Sequence, residues 1–250
     1  MQLEGKVALV TGSSRGIGAA IAGALAAAGS DVAVHGFQDR ERGEQVADRI
    51  RAVHRRAIFL EADLTRVESA AWLVQQTIDQ LGALDILVNN AGVAILADVF
   101  ESTPEQWNLA FDLHARALLL LSQAAAEHMK PRGSGKIINI TSISGEGVTS
   151  PQQVVYCASK AAANMLTRAL AVALAPYNIQ VNAVLPGTVE TEINREQLAG
   201  PGVRDGIIRS TPAGRLGRPE DIAAIVVHLA GGGADWTTGV LVPVDGGYML

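Results

Sequence analysis

Lys6-Val7-Ala8-Leu9-Val10-Thr11-Gly12-Ser13-Ser14-Arg15-Gly16-Ile17-Gly18 runs directly into the alanine-rich stretch Ala19 to Ala28, and the order of these three pieces decides the fold. The apolar run from Lys6 to Thr11 is continuous rather than alternating, as in a strand covered on both faces. Ala19 to Ala28 is strongly helix-forming. Between them, Gly12 permits a tight turn off the strand, Gly16 lets the backbone approach a ligand with no Cβ in the way, and Gly18 allows close packing of helix on sheet. A helix that begins at such a turn points free N–H groups and partial positive charge at whatever sits there, which suits a dinucleotide pyrophosphate. A glycine turn with no ligand is the bland reading of the same residues; its position between strand and helix favours the phosphate.

Working outward, further strand-like runs follow at Asp31 to His35, Ala57 to Glu61, Asp85 to Asn89, Lys136 to Thr141, Ile179 to Val184 and Val240 to Val244, with helical segments between. Seven strands with helical crossovers predict an α/β fold: one doubly wound parallel sheet of Rossmann type with helices on both faces. No linker, composition shift or internal repeat divides the 250 residues, so a single dinucleotide-binding and catalytic domain over 1–250 is expected. Its least regular stretch, 187–218, follows a strand end, where such folds bind ligands, and is read as the substrate loop.

Composition agrees and narrows the partners. Apolar residues make up 48% and charged residues only 18%, which excludes a disordered chain. The formal net charge of −5, with scattered Lys and Arg, gives no footprint for nucleic acid or an anionic membrane. Cys157 is the only cysteine, so there is no internal disulfide and no cysteine metal cluster; His35, His54, His128 and His228 lack metal-ligand spacing, and no metal is expected. Met1 to Gly5 is too short for a signal peptide ahead of the first strand and no apolar run reaches bilayer length, so a cytoplasmic location is expected. The segment Tyr156 to Ala175 is apolar or small nearly all the way round, apart from Lys160 and Arg168. A helix of that kind is buried on two sides, which predicts packing against another subunit in a homo-oligomer, a tetramer or dimer.

Tyr156-Cys157-Ala158-Ser159-Lys160 places a phenol and an ammonium on one helical face. At ~5 Å and an effective dielectric of ~20 the cation favours phenolate by roughly 3 kcal/mol, about two pK units, which brings the phenol within range for proton transfer. Thr141-Ser142 ends a strand upstream, where a hydroxyl can hold a reacting oxygen. Either feature alone is a common surface pattern; the two together with the glycine turn describe a site for hydride and proton transfer. Cys157 lies ~100° around the helix from Tyr156 and is read as a core thiol. Cofactor choice turns on the end of the second strand, where His35, Gly36 and Phe37 precede any acid before Asp39. Arg15 is either a clamp for a 2′-phosphate or a solvated loop arginine, and Asp63 either meets adenine or shapes a turn. The preference is for NADP over NAD.

These motifs, in this order along essentially the whole chain, resemble the short-chain dehydrogenase/reductase family: TGxxxGxG as Thr11 to Gly18, NNAG as Asn89-Asn90-Ala91-Gly92, the serine as Ser142, YxxxK as Tyr156 to Lys160, then Pro186-Gly187 and Asp245-Gly246-Gly247. The resemblance implies that Tyr156 is the general acid or base, that Ser142 positions the substrate oxygen, and that Lys160 lowers the tyrosine pKa and holds the ribose. It also implies that Ser14, Ile17, Leu64, Asn90, Ala91 and Gly92 join the glycines around the dinucleotide, with Pro186, Gly187, Val189 and Thr191 beside the nicotinamide. One departure stands out: His114 occupies the position where the family carries a relay asparagine, either as a proton shuttle or as a packed helix histidine. The stretch from Pro186 to Asn194 resembles the sugar 1-dehydrogenases of the family, those for glucose or rhamnose. Hydrogen-bonding groups at Glu146, Thr149, Gln152, Gln153, Glu190, Glu192, Asn194, Arg195 and Glu196 suit a polyhydroxylated substrate, whereas Val93, Ile95 and Leu96 do not. Oxidation of an aldose at C1 to its lactone is therefore the first expectation, 3-oxoacyl thioester reduction the second, and a dinucleotide-binding sensor with little turnover the third.

Overall fold

A computed structural model describes residues 2–250, so Met1 of the Met1 to Gly5 segment lies outside the described residues. Seven parallel strands run in the order β3-β2-β1-β4-β5-β6-β7: β1 Val7–Val10, β2 Asp31–Gly36, β3 Ala57–Glu61, β4 Ile86–Asn89, β5 Gly135–Ile140, β6 Ile179–Pro186 and β7 Leu241–Val244. Strand order reverses between β1, paired Val10 to Val88, and β4, and the crevice opens at the carboxyl ends of the strands there.

The pleat of β1 shows why the run is continuously apolar. Ala8 and Val10 pack on one side with Ile21 and Leu25 of α1 (Gly16–Ala27), Ile50 of α2 (Arg40–Ala52) and Val226 of α9 (Pro219–Ala230). Val7 and Leu9 pack on the other with Leu73 of α3 (Glu68–Leu81), Leu121 of α5 (Ala117–Met129) and Ala171 of α6 (Val154–Leu174). Both faces are dry, so no position on β1 tolerates a polar residue. The alanines of α1 let it lie close against α9.

Two interruptions position the site. Helix α4 (Pro104–Phe111) starts from a capping box, in which the Thr103 hydroxyl accepts from the Gln106 N–H and the Gln106 side chain accepts from the Thr103 N–H. It runs into α5 through a π turn, Asp112–Arg116, whose extra residue turns His114 into the interior. After β6 the chain forms a 3₁₀ turn, Glu192–Asn194, and two short helices, α7 (Arg195–Leu198) and α8 (Val203–Ser210), over the crevice. Among the described residues, no helix is long and apolar enough to cross a membrane.

Candidate active site

The carboxyl ends of β1, β2, β4, β5 and β6 enclose a cleft of about 740 Å³. Its floor is the glycine turn. Gly12 and Gly16 sit at φ +62° and +56°, which disfavours any side chain, and a Cβ on Gly18 would collide with the Gly12 carbonyl oxygen. Arg15 is the extended N-cap residue of α1 and contributes no side-chain cap, so the first-turn N–H groups stay directed at the cleft. Asn90 holds the turn from above: its Nδ2 donates to the Thr11 and Gly12 carbonyls at 2.9 and 3.0 Å.

His35 supports the turn from below, a role the sequence reading does not contain. Its Nδ1 accepts the Gly12 N–H at 3.0 Å and its Nε2 donates to the Ala62 carbonyl at 3.1 Å. Burial pulls its pKa down to about 4, against a smaller upward pull from the Ala62 hydrogen bond, so the ring is neutral. No short-range pattern encodes this contact. Asp63 accepts from the Thr65 N–H and hydroxyl, the turn role, and lines the cleft with Leu64.

Above the floor, Ser142, Tyr156 and Lys160 converge on the cleft with Thr141. Ser142, buried at the end of β5, accepts the Ser144 N–H at 3.1 Å and faces the Tyr156 phenol. Lys160 is buried, and its Nζ donates to the Ile140 carbonyl at 3.3 Å. Burial brings the ammonium down to about 8. For Tyr156 burial pushes the phenol above its ordinary value, the Ser142 hydrogen bond pulls it back, and Cys157 adds a smaller upward push. The net direction at the phenol is thus upward rather than the lowering expected from Lys160 alone, because the low-dielectric setting that strengthens the ion–phenolate attraction also penalises forming the phenolate. Cys157 is half-buried rather than a core thiol, and it does not line the cleft.

His114 lies edge-on to Tyr156, ring centroids 5.6 Å apart. Its Nε2 accepts the Val93 N–H at 3.1 Å, so Nδ1 carries the proton and donates to Ser159 Oγ at 2.9 Å; that hydroxyl donates to the Tyr156 carbonyl at 2.8 Å. Burial, then the Lys160 charge, pulls the ring down to about 2, so it is neutral. With both nitrogens engaged the ring clamps the segment after Gly92 to the Tyr156 helix. A Cβ on Gly92 would come within 2.8 Å of Nε2, so the glycine and the histidine fit as a pair.

The remaining predicted residues divide. Ser14, Ile17, Ala91, Pro186, Gly187, Val189 and Thr191 all line the cleft, and Thr191 packs within 3.7 Å of the Gly16 Cβ position. The polar substrate-loop residues already have partners: Glu190, off the cleft, pairs with Arg204 at 2.9 Å, whereas Glu192 and Asn194 line the cleft but are held by Arg42 at 2.8 Å and by Thr191 and the Val189 carbonyl. Glu146 accepts from Asn164. The substrate end is instead two-sided. Ser144, Thr149 and Gln153 form a polar wall, and Val93, Ile95, Leu96, Leu109, Leu198, Ile207 and Tyr248 form an apolar one. The apolar residues from α4, α7 and α8 carry no local signal of that role, because only the folding over of distant elements brings them to the cleft.

A family model described as enoyl-(acyl carrier protein) reductase matches residues 12–249. Versicolorin reductase 1 of Aspergillus parasiticus is 36% identical over 98% of this chain and 97% of its own length. The 2-dehydro-3-deoxy-D-gluconate 5-dehydrogenase of Escherichia coli is 38% identical over 99% and 96%. The L-rhamnose 1-dehydrogenase (NAD(P)(+)) of a Sphingomonas species is 36% identical over 99% and 98%. A solved short-chain dehydrogenase from Burkholderia cenocepacia, in complex with NADP, superposes with a TM-score of 0.95 at 36% identity, covering all of both chains.

Proposed function

The chain belongs to the short-chain dehydrogenase/reductase family, and on that premise we propose that its cleft binds NADP, or NAD, and carries hydride transfer between the dinucleotide and a substrate carbinol or carbonyl. The single observation that carries this reading is the convergence of Ser142, Tyr156 and Lys160 above a glycine turn whose helix N-terminus is uncapped by side chains. The residues fit a dinucleotide: the turn admits no Cβ at Gly18, and Thr141 Oγ1 is buried in the cleft wall with no protein partner. When bound, the nicotinamide accepts or supplies the hydride. Tyr156 takes the proton from the substrate oxygen in oxidation or returns it in reduction, and Ser142 donates a hydrogen bond to that oxygen. Lys160 keeps positive charge beside the phenol, 5.7 Å from the Tyr156 ring centroid, and would hold a ribose hydroxyl of the dinucleotide. His114 is a positioning residue that fixes the Tyr156 helix. Arg15 on the rim, with Arg42 near it, supports a preference for the 2′-phosphate of NADP; Asp39, the nearest acid, accepts the Ser14 hydroxyl at 2.8 Å and neighbours Arg42.

For the substrate we favour an aldose oxidised at C1 to its lactone, a reading supported by the sugar and sugar-acid dehydrogenases among the relatives and by the polar wall at Ser144, Thr149 and Gln153. The apolar wall supports a second reading, reduction of a 3-oxoacyl thioester or of another carbonyl on an apolar frame such as a cyclic ketone, and a reductase, versicolorin reductase 1, is among the relatives. Initial rates followed by nicotinamide absorbance, with NAD and NADP in parallel against aldoses, a short 3-oxoacyl thioester and cyclic ketones, separate these. Aldose-dependent cofactor reduction supports the first; thioester- or ketone-dependent cofactor oxidation alone moves the assignment to the second. Dinucleotide binding with no turnover of any of them favours a sensor.

A further inference from the structure

One hydrogen-bonded group in the cleft has a donor left over. Thr149 Oγ1 donates to Gln153 Oε1 at 2.7 Å, Ser144 Oγ lies 3.2 Å from the same oxygen, and the two hydroxyls are 3.0 Å apart. This orients the amide, and its Nε2 has no hydrogen-bond partner among the described residues. The backbone around it is held as well. Gln153 accepts the Cys157 N–H at 2.7 Å as the N-cap residue of α6, and it bridges to Ala97 across the cleft mouth. Ser144 lies in the 3₁₀ turn Ile143–Gly145, and its own N–H donates to Ser142 Oγ at 3.1 Å. The amide is therefore fixed relative to both Ser142 and Tyr156. It precedes Tyr156 by three residues, a separation of about 5–6 Å between Cβ atoms on a helix face.

We propose that Gln153 is a specificity-determining residue, its side-chain N–H donating to a second substrate oxygen on the carbon next to the one oxidised or reduced. The proposal rests on the oxidoreductase reading above and deepens it: the substrate is a vicinally oxygenated carbinol or its carbonyl counterpart, not a simple alcohol. A polar group already oriented toward the cleft is left unpaired by a substrate lacking that oxygen, and discrimination follows from the missing bond.

The test compares trans-1,2-cyclohexanediol with cyclohexanol, matched in ring and reacting group, on the whole protein with NADP. The wild type is expected to favour the diol in kcat/KM by about 10- to 100-fold. Gln153→Glu keeps an acceptor for Ser144 and Thr149 but removes the donor, and Gln153→Met removes both; each is expected to collapse the ratio towards one. A wild type without diol preference, or variants that retain it, overturns the proposal. Both alcohols are also titrated against the protein–NADP complex by ligand-observed NMR, with the same ratio expected in binding. Absence of turnover counts against the oxidoreductase reading, whereas a wild type that binds both alcohols alike, or variants that still bind the diol better, count against Gln153 alone.

Discussion

At the scale of single residues the site sets two neutral, hydrogen-bonded histidines, His35 and His114, around two groups that can move protons, Tyr156 and Lys160. Replacing Tyr156 with Phe removes the only phenol in contact with Ser142, and turnover should fall by roughly 10²–10⁴-fold while NADP titration is unchanged. Retained turnover would remove Tyr156 from the chemistry. His114 makes the opposite prediction. His114→Ala leaves the Val93 N–H and the Ser159 hydroxyl without their partner, so stability in urea should drop by about 1–3 kcal/mol. The shape of the pH–rate profile should not change, because a ring held near about 2 does not titrate in the assay range. A displaced limb would restore the relay role. His35 has a folded pKa of about 4 against 6.5 unfolded. Below pH 6.5 the unfolded chain takes up a proton that the folded protein excludes, so the stability from this site is complete above 6.5 and declines as pH falls towards 4. The shift corresponds to roughly 3 kcal/mol. Urea midpoints at neutral pH and near pH 5 should separate more for the wild type than for His35→Gln.

At the scale of elements, β1, the glycine turn and α1 act as one unit, tied from above by Asn90 and from below by His35. A methyl group at Gly18 meets the Gly12 carbonyl, a backbone atom that cannot swing aside. Gly18→Ala should lower stability by ~1–3 kcal/mol, as overpacking does, and weaken dinucleotide binding with it, read by thermal melts and NADP titration. A melt unchanged from wild type would mean that the helix can shift outward. This unit is also where sequence reading succeeds best. Strand, turn and helix are adjacent in the chain, and each glycine answers a constraint from its immediate neighbours. The substrate loop is the contrast: its charged residues suggested a polyol pocket, yet Glu190 and Glu192 find arginines at positions 204 and 42. Local composition could not reveal those partners.

At the scale of the whole molecule, α6 buries Val155, Ser159, Lys160, Ala163, Thr167 and Ala171 inward and leaves Val154, Met165 and Val172 exposed along the opposite stripe. An apolar stripe on a helix that carries Tyr156 and Lys160 on its other side leads to the prediction that a second copy of the chain packs against it. The native mass by light scattering should be a multiple of the chain mass, and Met165→Glu should shift it downward at micromolar concentration. A monomeric wild type would refute this assembly. If the stripe is an interface, its loss should also lower kcat, since the same helix positions the phenol.

The chain alone determines the alternation of strands and helices, the dinucleotide turn and the Ser142, Tyr156 and Lys160 motif, because each depends on residues close in sequence whose spacing carries a mechanical meaning. Only the tertiary structure decides that both ring nitrogens of His35 and of His114 meet distant partners, that burial pushes the Tyr156 phenol upward, and that polar and apolar residues share the substrate end. Those outcomes depend on desolvation and on partners distant in the chain, and neither exists until the sheet, the π turn and the loop after β6 enclose the cleft.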